Sequence, residues 1–307
     1  MTLLSIPSPG DPFIVNSGPI HARWYGLLLA LGVLLAGWIA RREFRRRRMD
    51  PELAYSIAVW GVPFGLAGAR LYHVVTDWDA FRNDYSQIPA IWNGGLSIFG
   101  AVLGGMLGVW IGSRRVRLPF WRVADCIAPG LVLAQALGRW GNYFNQELYG
   151  TPTDRPWGLE IDPSHRQPPY LTSDTFQPMF LFESFLNVLV FLALVLFVRR
   201  FWNRIPNGTV FALYVTLYDL YRVPLETLKV DPADVFLGQR VNVWVSAVLF
   251  VVGLVAFALL FRRRTSSPAR PAPSAPTAQP AVSGHTPTPR PETAIAARLR
   301  TKRRKRG

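Results

Sequence analysis

The chain has 307 residues, of which half are hydrophobic, 13% are aromatic and only 17% are charged. Soluble domains carry about 25% charged residues, so this composition disfavours a cytosolic globular protein and points to the bilayer. The formal net charge is +15, but +11 of it lies from Arg262 onward, so the charge does not indicate a nucleic-acid-binding domain. The single cysteine, Cys126, excludes an internal disulfide and any metal site built on a cysteine pair.

The N-terminal part of the chain predicts one membrane span that runs from the outside inward. Residues 1–20 are rich in Pro, Gly and Ser and predict an extended or interfacial segment. Residues 20–40 are apolar and long enough to cross a bilayer core of about 30 Å. Six arginines follow within residues 41–48, and because basic residues mark the cytoplasmic side, the N-terminus is expected outside. A basic cluster after the apolar run is the reverse of a secretory signal.

Six further apolar runs alternate with charged or Pro-rich loops and predict six more spans. They are residues 53–69, 90–112, 123–137, 178–198, 208–221 and 241–261. The later arginine clusters all fall on the predicted cytoplasmic side, at residues 114–122, 199–204 and 262–264. The fold class is therefore predicted as an all-α integral membrane protein with seven transmembrane helices, an outer N-terminus and a cytoplasmic C-terminus.

Two of these spans have an unusual composition. Residues 90–112 include seven glycines, and because small residues let helices approach closely in lipid, a central and tightly packed helix is expected. Residues 123–137 form a short run that contains Asp125 and Pro129. This pattern predicts a broken or tilted helix that delivers residues 138–150 to the outer surface.

The chain is predicted to divide into a membrane domain, residues 1–264, and a tail, residues 265–307. An external loop at residues 151–177 contains five prolines, and loops of this length are usually lids, binding loops or disordered segments. Pro, Ala, Ser and Thr dominate the tail and cannot bury a core, so a disordered cytoplasmic segment is expected. Its basic end suits anionic membrane lipid, with a protein or nucleic-acid partner as the alternative.

Residues 138–150, G-R-W-G-N-Y-F-N-Q-E-L-Y-G, are the densest polar stretch between apolar neighbours. Helical spacing places Arg139, Asn142 and Gln146 on one face. A guanidinium group beside two amides suits a phosphate or carboxylate at the membrane edge. The alternative is an interfacial arginine that extends toward water beside ordinary polar residues.

Ionisable residues within predicted spans are costly to insert and are therefore functional candidates. They are Arg70, Asp125, Arg139, Glu147, Glu183, Arg222 and Glu226. On the sixth span Tyr218, Arg222 and Glu226 follow at steps of four, although Pro224 is expected to kink the backbone.

Two interpretations of these charges remain open. In the first, Arg222 and Glu226 only neutralise each other. In the second, Arg222 faces Arg139 across a cavity, each supported by a carboxylate, Glu226 for Arg222 and Glu147 for Arg139. Two arginines that converge on one point would bind a phosphodiester, and within a membrane protein that means a phospholipid head group.

The sequence offers no metal site and no serine nucleophile motif. His21, His73 and His165 are isolated, and no H-x-x-x-H or paired-Asp spacing is present. No G-x-S-x-G motif is present either, which argues against a serine lipase. We therefore expect neither a metal nor another cofactor.

The chain resembles the prolipoprotein diacylglyceryl transferase family, and in particular its actinobacterial members. Residues 138–150 match the family signature G-R-x-G-N-x-x-N-x-E-x-x-G at every defined position. Supporting matches lie between residues 23 and 261. They are R-W-Y-G-L at 23–27, G-A-R-L-Y at 68–72, W-N-G-G-L-S at 92–97 and Y-x-x-x-R-x-x-x-E at 218–226.

The resemblance implies a seven-helix enzyme of the bacterial plasma membrane whose active site faces the outer leaflet. Its activity would move the diacylglyceryl group of phosphatidylglycerol onto the lipobox cysteine of a prolipoprotein signal peptide. A thioether would form and glycerol phosphate would leave. The implied catalytic residues are Arg139 and Arg222. The implied substrate-binding residues are Arg139, Asn142, Glu147, Gly150, Tyr25, Arg70, Tyr218 and Glu226.

Two departures from the family pattern concern the proton acceptor. Phe99 stands where many members have a histidine, and residues 177–183 read Q-P-M-F-L-F-E in place of H-P-S-Q-L-Y-E. A mechanism with a histidine base therefore does not transfer, and Tyr218, Glu226 and His73 are weak candidates for that role. Two alternatives stay open, a lipid-binding or lipid-translocating protein without chemistry and an inactive scaffold for lipoprotein precursors.

Overall fold

The computed structural model describes residues 5–17, 20–91 and 94–263 of the chain. The predicted tail at 265–307 and the first two residues of the W-N-G-G-L-S motif lie outside these ranges. Seven long helices and one short helix are present within them. They are α1 (Trp24–Arg46), α2 (Leu53–Thr76), α3 (Trp78–Phe81), α4 (Ile98–Arg115), α5 (Phe120–Phe144), α6 (Met179–Phe201), α7 (Thr209–Glu226) and α8 (Val241–Arg262).

Three short antiparallel strand pairs and the 3-10 helices Tyr85–Gln87 and Pro163–His165 accompany the α-helices in the described part. The strand pairs are β1 (Phe13–Ser17) with β2 (Ile20–Arg23), β3 (Leu159–Glu160) with β4 (Thr175–Phe176), and β5 (Val235–Phe236) with β6 (Gln239–Arg240). The first strand of the β1–β2 hairpin lies within the predicted extended segment, and the second replaces the first residues of the predicted span. Helix α1 consequently begins at Trp24, four residues later than the predicted span.

The protein is a mostly helical membrane protein. Four of its helices, α1, α5, α6 and α8, are long and apolar enough to cross a bilayer. Within their most apolar windows, half of the α5 residues are buried inside the protein but only 11% of those in α8. Helix α5 is therefore the central helix, whereas α8 presents most of its surface outward.

Helix α4 is closely packed, as its glycines predict, but it is not central. A methyl group at Gly104 would overlap the backbone oxygen of Phe64, and one at Gly108 would overlap that of Trp60. The opposite face of α4 exposes large residues such as Leu103, which is 59% exposed. The glycines thus bring α4 against α2 alone, because their lack of side chains permits backbone contact along one stripe.

The prediction of a short, broken fourth span was wrong. Helix α5 has 25 residues, contains Pro129 and ends only at Phe144. Pro129 is tolerated because this part of α5 is buried, and a methyl group at the adjacent Gly130 would lie 2.7 Å from the backbone oxygen of Ala36 in α1. Close helix packing outweighs the backbone hydrogen bond that proline removes. Arg139 therefore lies inside a helix and not in a segment that follows one.

Asp125, one of the charged candidates, has a structural role at the start of α7. Its carboxylate accepts hydrogen bonds from the backbone amides of Gly208, at 2.8 Å, and Phe211, at 2.9 Å. Arg47 lies 3.5 Å from the same carboxylate. A buried carboxylate at a helix N-terminus satisfies amides that have no partner within the helix. Asp125 thus joins α1, α5 and α7 at the end opposite to Arg139.

The predicted external loop forms a small packed unit over the end of α5. Its core consists of Tyr149, Leu159, Ile161, Phe176 and Phe180. The N-terminal segment binds it, because Ser5 donates to Glu160 at 2.5 Å and Ser8 donates to Asp162 at 2.9 Å. A hydrogen bond from the Gln146 amide, followed by that from Ser8, lowers the pKa of Asp162.

Candidate functional site

Glu183 is the centre of a buried charge cluster near one end of the helix bundle. It lies in the first turns of α6, and its side chain is only 2% exposed. Three cations contact its carboxylate. Arg139 of α5 donates from Nε, Arg222 of α7 lies at 3.3 Å through Nη1, and the Nζ of Lys229 lies at 2.8 Å. The carboxylate therefore joins two helices and a loop that are distant in sequence.

A second carboxylate, Glu226, lies at the end of α7 and extends the cluster. Its side chain is 1% exposed and binds Arg222 at 3.0 Å and Arg240 at 3.2 Å. Lys229 lies at 3.3 Å from it, so this lysine bridges Glu226 and Glu183. The Nδ2 of Asn242 in α8 donates to Glu226 at 3.0 Å.

The complete Glu183 cluster contains more cations than anions. We define it as Arg139, Arg222, Lys229, Arg240, Glu183, Glu226 and Asp231, the last paired with Arg240 at 2.7 Å. Four positive and three negative side chains leave a formal charge of +1. Arg139 and Arg222 are 16% and 18% exposed, whereas Glu183 and Glu226 are covered.

The structure brings Arg139 and Arg222 together, but the partner of Arg139 differs from the one expected. Arg139 pairs with Glu183 and not with Glu147. The pairing of Arg222 with Glu226 forms as well, so this contact and the convergence of the two arginines coexist. Arg139 and Arg222 meet at Glu183, which lies on a third helix, α6. Residue spacing along α5 or α7 alone does not reveal a contact of this kind.

The residues after Arg139 form a turn that closes the end of α5. The Nδ2 of Asn142 donates to Glu147 at 2.9 Å, and Arg139 donates to the Oδ1 of Asn142 at 3.4 Å. Gln146 does not share their face, because the helix has ended and its φ is +51°. Its amide donates instead to Asp162, at 2.6 Å. The predicted face of three residues thus contains only Arg139 and Asn142.

Gly150 anchors this turn between two other segments. Its amide donates to the backbone oxygen of Gln177 at 3.0 Å. A methyl group at this position would lie 2.8 Å from Cβ of Gln177 and 3.0 Å from the sulfur of Met179. Gly150 also pairs with Lys229 in an isolated bridge. A residue without a side chain is therefore required to bring Lys229 and the start of α6 together. A substrate-binding role for Gly150 stays a prediction.

Two tyrosines flank Arg139. Tyr218 of α7 lies near enough to Arg139 for the two side chains to interact electrostatically. Tyr25, in the first turn of α1, packs its ring against Gly141 of α5. Both tyrosines therefore neighbour the α5 surface that carries Arg139, while their contacts with a substrate stay predictions.

Replacing Gly141 with alanine is expected to disturb the position of Tyr25. The added methyl group would overlap the ring, whose Cε2 would lie only 3.0 Å away. Overpacking of this kind costs about 1–3 kcal/mol, and we expect a lower thermal midpoint together with reduced activity. Gly26→Ala is the matched control, because a methyl group there meets no atom within 4 Å. Equal behaviour of the two variants in thermal unfolding would contradict this packing.

Arg70 is not part of the Glu183 cluster. Its guanidinium donates to four backbone oxygens of the segment after α3, those of Gln87, Ile88, Gly94 and Gly95, at 2.6–2.9 Å. These bonds hold that segment against α2. A substrate-binding role for Arg70 stays a prediction and would require some of these donors to change partner.

Lys229 and Arg240 were missed in the sequence analysis. Lys229 is the one lysine of the chain outside the tail, which is a signal that could have drawn attention to it. Arg240 follows the β5–β6 turn and had no distinguishing pattern. Among the described residues, no group of three His, Cys, Asp or Glu side chains is arranged to hold a metal ion.

Lys229→Met should weaken the Glu183 cluster, because it removes the cation that bridges two buried carboxylates. Loss of one partner from a buried ion pair costs about 3–5 kcal/mol. We expect a marked fall in the thermal midpoint of the purified protein, measured by differential scanning fluorimetry. Lys229→Arg keeps the charge and should retain most of the stability. If methionine and arginine behaved alike, the bridging role of Lys229 would be wrong.

Comparison with known proteins identifies the family. A family model described as prolipoprotein diacylglyceryl transferase matches residues 12–259. The chain belongs to the prolipoprotein diacylglyceryl transferase family. The matched region contains the whole Glu183 cluster, with Arg139 in the signature stretch and Arg222 and Glu226 in the second motif.

Relatives named phosphatidylglycerol–prolipoprotein diacylglyceryl transferase are similar over most of the chain. The protein from Frankia alni is 46% identical over 87% of this chain and 70% of its own length. A second from Streptomyces coelicolor is 45% identical over 83% of this chain and 80% of its own. A third from Paenarthrobacter aurescens is 43% identical over 94% of both chains.

Proposed function

We propose that this protein transfers the diacylglyceryl group of phosphatidylglycerol to the lipobox cysteine of prolipoproteins, the first step of lipoprotein maturation. Membership of the family supports the reaction. The observation that carries the proposal for this chain is the convergence of Arg139 and Arg222 on Glu183 within a cluster of net positive charge. Two guanidinium groups from separate helices suit the phosphate of a phospholipid head group.

The reaction is a displacement at the glycerol carbon that bears the phosphate. The cysteine sulfur forms a C–S bond there, the C–O bond to phosphate breaks, and the bonding electrons leave with glycerol phosphate. Arg139 and Arg222 stabilise the negative charge that develops on the departing phosphate. Glu183 and Glu226 hold the arginines in place, so that little reorganisation is needed during the reaction.

The thiol proton does not require a histidine at the Phe99 position. Phe99 lies near the start of α4, 47% exposed, with its ring 6.0 Å from that of Tyr72, and it cannot accept a proton. A cysteine thiol with a pKa of about 8.5 is already a few per cent thiolate at neutral pH. The positive field of the Glu183 cluster favours the thiolate further.

Seven transmembrane helices with the N-terminus outside and the C-terminus in the cytoplasm are proposed as the topology. The seven long helices match the seven predicted spans in number and order. Arginines end α1, α4, α6 and α8, as the positive-inside rule requires for cytoplasmic ends. In this arrangement the Glu183 cluster faces the outer leaflet of the plasma membrane, where a translocated signal peptide would meet it.

Product formation with purified protein tests the proposal. The protein in phosphatidylglycerol-containing vesicles is incubated with a lipobox peptide, and mass spectrometry records the peptide and the released glycerol phosphate. We expect addition of one diacylglyceryl group to the peptide, and no addition to a control peptide in which serine replaces the cysteine. Lipid binding without peptide modification would favour a binding or translocating protein, and failure to rescue transferase-depleted cells would favour an inactive scaffold.

A further inference from the structure

The hairpin between α7 and α8 exposes an apolar tip. Val235, Phe236 and Leu237 are 67%, 60% and 76% exposed, and Gly238 completes the tip. Leu237 and Gly238 form the turn, both with positive φ, at +49° and +75°. Turns of this kind favour Asn, Asp or Gly at both positions, because these residues tolerate positive φ. The turn conformation therefore does not explain why a leucine stands at position 237.

The hairpin is held so that the apolar side chains cannot fold back. Val235 pairs with Arg240, and Phe236 pairs with Gln239. The indole of Trp244 donates to the backbone oxygen of Phe236 at 2.9 Å, and the amide of Val241 donates to the oxygen of Asp234, also at 2.9 Å. These bonds fasten the β5 side of the hairpin to the first turn of α8, into which β6 continues directly.

The exposed surface of the tip continues onto the exposed face of α8. Helix α8 has a mean hydropathy of 2.7 and is the least buried of the four apolar helices. Trp244, 41% exposed in its first turn, is a residue type that favours the membrane interface. Because the hairpin leads directly into α8, which is apolar enough to cross a bilayer, and adjoins the exposed face of that helix, we expect lipid to cover its tip.

We propose that the hairpin tip, residues 235–238, inserts into the bilayer interface beside the Glu183 cluster. The hairpin also carries Arg240, which binds Glu226 at 3.2 Å and Asp231 at 2.7 Å. Insertion of the tip therefore fixes the depth of the cluster relative to the phospholipid head groups. Insertion of the tip does not depend on the proposed reaction. The consequence that an inserted tip helps to supply phosphatidylglycerol to Arg222 rests on the proposed function.

Spin labelling of single cysteines measures the depth of the tip directly. The native Cys126 is buried and is replaced by alanine to give a label-free background. A nitroxide at Leu237→Cys in phosphatidylglycerol-containing vesicles is compared with one at Val248→Cys on the exposed face of α8 and one at Arg155→Cys in the outer loop. We expect the label at position 237 to collide with oxygen more than with a water-soluble nickel complex, as at position 248.

Each alternative gives a different result and overturns the proposal. A label at position 237 that behaves like the one at 155 would show that the tip lies in water. A label shielded from both reagents would show that the tip contacts protein, either a second copy or a peptide. The result of this experiment is independent of the peptide assay. The tip can lie in water in a protein that is catalytically active, and it can lie in the bilayer in a protein that is inactive.

Leu237→Asp tests the consequence for the reaction. The side chain lies outside the Glu183 cluster and is mostly exposed, so the fold should be unchanged. We expect the KM for vesicle phosphatidylglycerol to rise about tenfold with little change in kcat, because a charge is excluded from the interface. An unchanged KM would contradict the role of the tip in lipid supply.

Discussion

Arg222→Ala should reduce kcat for peptide modification by about 100- to 1,000-fold, the effect of removing one donor that stabilises a developing negative charge. Arg222 contacts both Glu183 and Glu226. Its removal leaves the departing phosphate with one guanidinium and takes one cation partner from each of two buried carboxylates. Arg139→Ala should lower kcat by a similar factor for the same electrostatic reason. The measurement is the initial rate of thioether formation.

A matched control separates this effect from a general loss of positive charge. Arg82→Ala removes an exposed arginine whose ion-pair partner in the described part of the chain is Asp79, at 3.1 Å, and it should leave the rate unchanged. Arg222→Lys keeps the charge but loses the planar fork, so an intermediate rate is expected. A normal rate for Arg139→Ala or Arg222→Ala in folded protein would rule out leaving-group stabilisation by these residues.

Glu183→Gln is the second change for which we expect a large effect. Glutamine keeps the size of the side chain but removes the charge that Arg139, Arg222 and Lys229 share. The three cations then repel one another in a buried site, and loss of such a partner costs about 3–5 kcal/mol. We expect a large fall in the thermal midpoint and a fall in kcat greater than any change in KM, because the arginines lose their orientation.

Glu160→Gln provides the control for this prediction. Glu160 is a carboxylate of the loop between α5 and α6, and its partner is the hydroxyl of Ser5. A neutral amide can still accept that hydrogen bond, so both stability and rate should stay close to those of the unchanged protein. If Glu183→Gln also left the thermal midpoint unchanged, the central position of Glu183 in the charge cluster would be wrong.

Local patterns in the sequence predicted a large part of the helical framework. The seven apolar runs each overlap one long helix, since burial in lipid or protein requires continuous apolar residues. The glycines of α4 predicted its close packing, because a residue without a side chain lets the backbone of a neighbouring helix approach. The end of α5 was not predictable in the same way. Helical spacing was extended from Arg139 to Gln146, but α5 ends at Phe144, so that only Arg139 and Asn142 share a helical face.

The residues of the site illustrate the same division. Arg139 and Arg222 stood out because charges in apolar segments are rare, and motif spacing linked Arg222 to Glu226. The pairing of Arg139 with Glu183 could not be predicted, because Glu183 lies 44 positions further along the chain on another helix. Lys229 enters the cluster from the segment after α7 and Arg240 from strand β6, and no local pattern predicts where either segment runs.

The sequence by itself determined that this is a helical membrane protein of the diacylglyceryl transferase family with two candidate arginines. Hydropathy and the signature motif are local properties of the sequence, so they can be recognised without knowledge of the packing. Only the tertiary structure decided that both arginines meet at Glu183, that Lys229 bridges two glutamates and that Arg70 binds backbone oxygens elsewhere. Those contacts depend on the rotation and depth of each helix relative to its neighbours, which packing over the whole bundle sets.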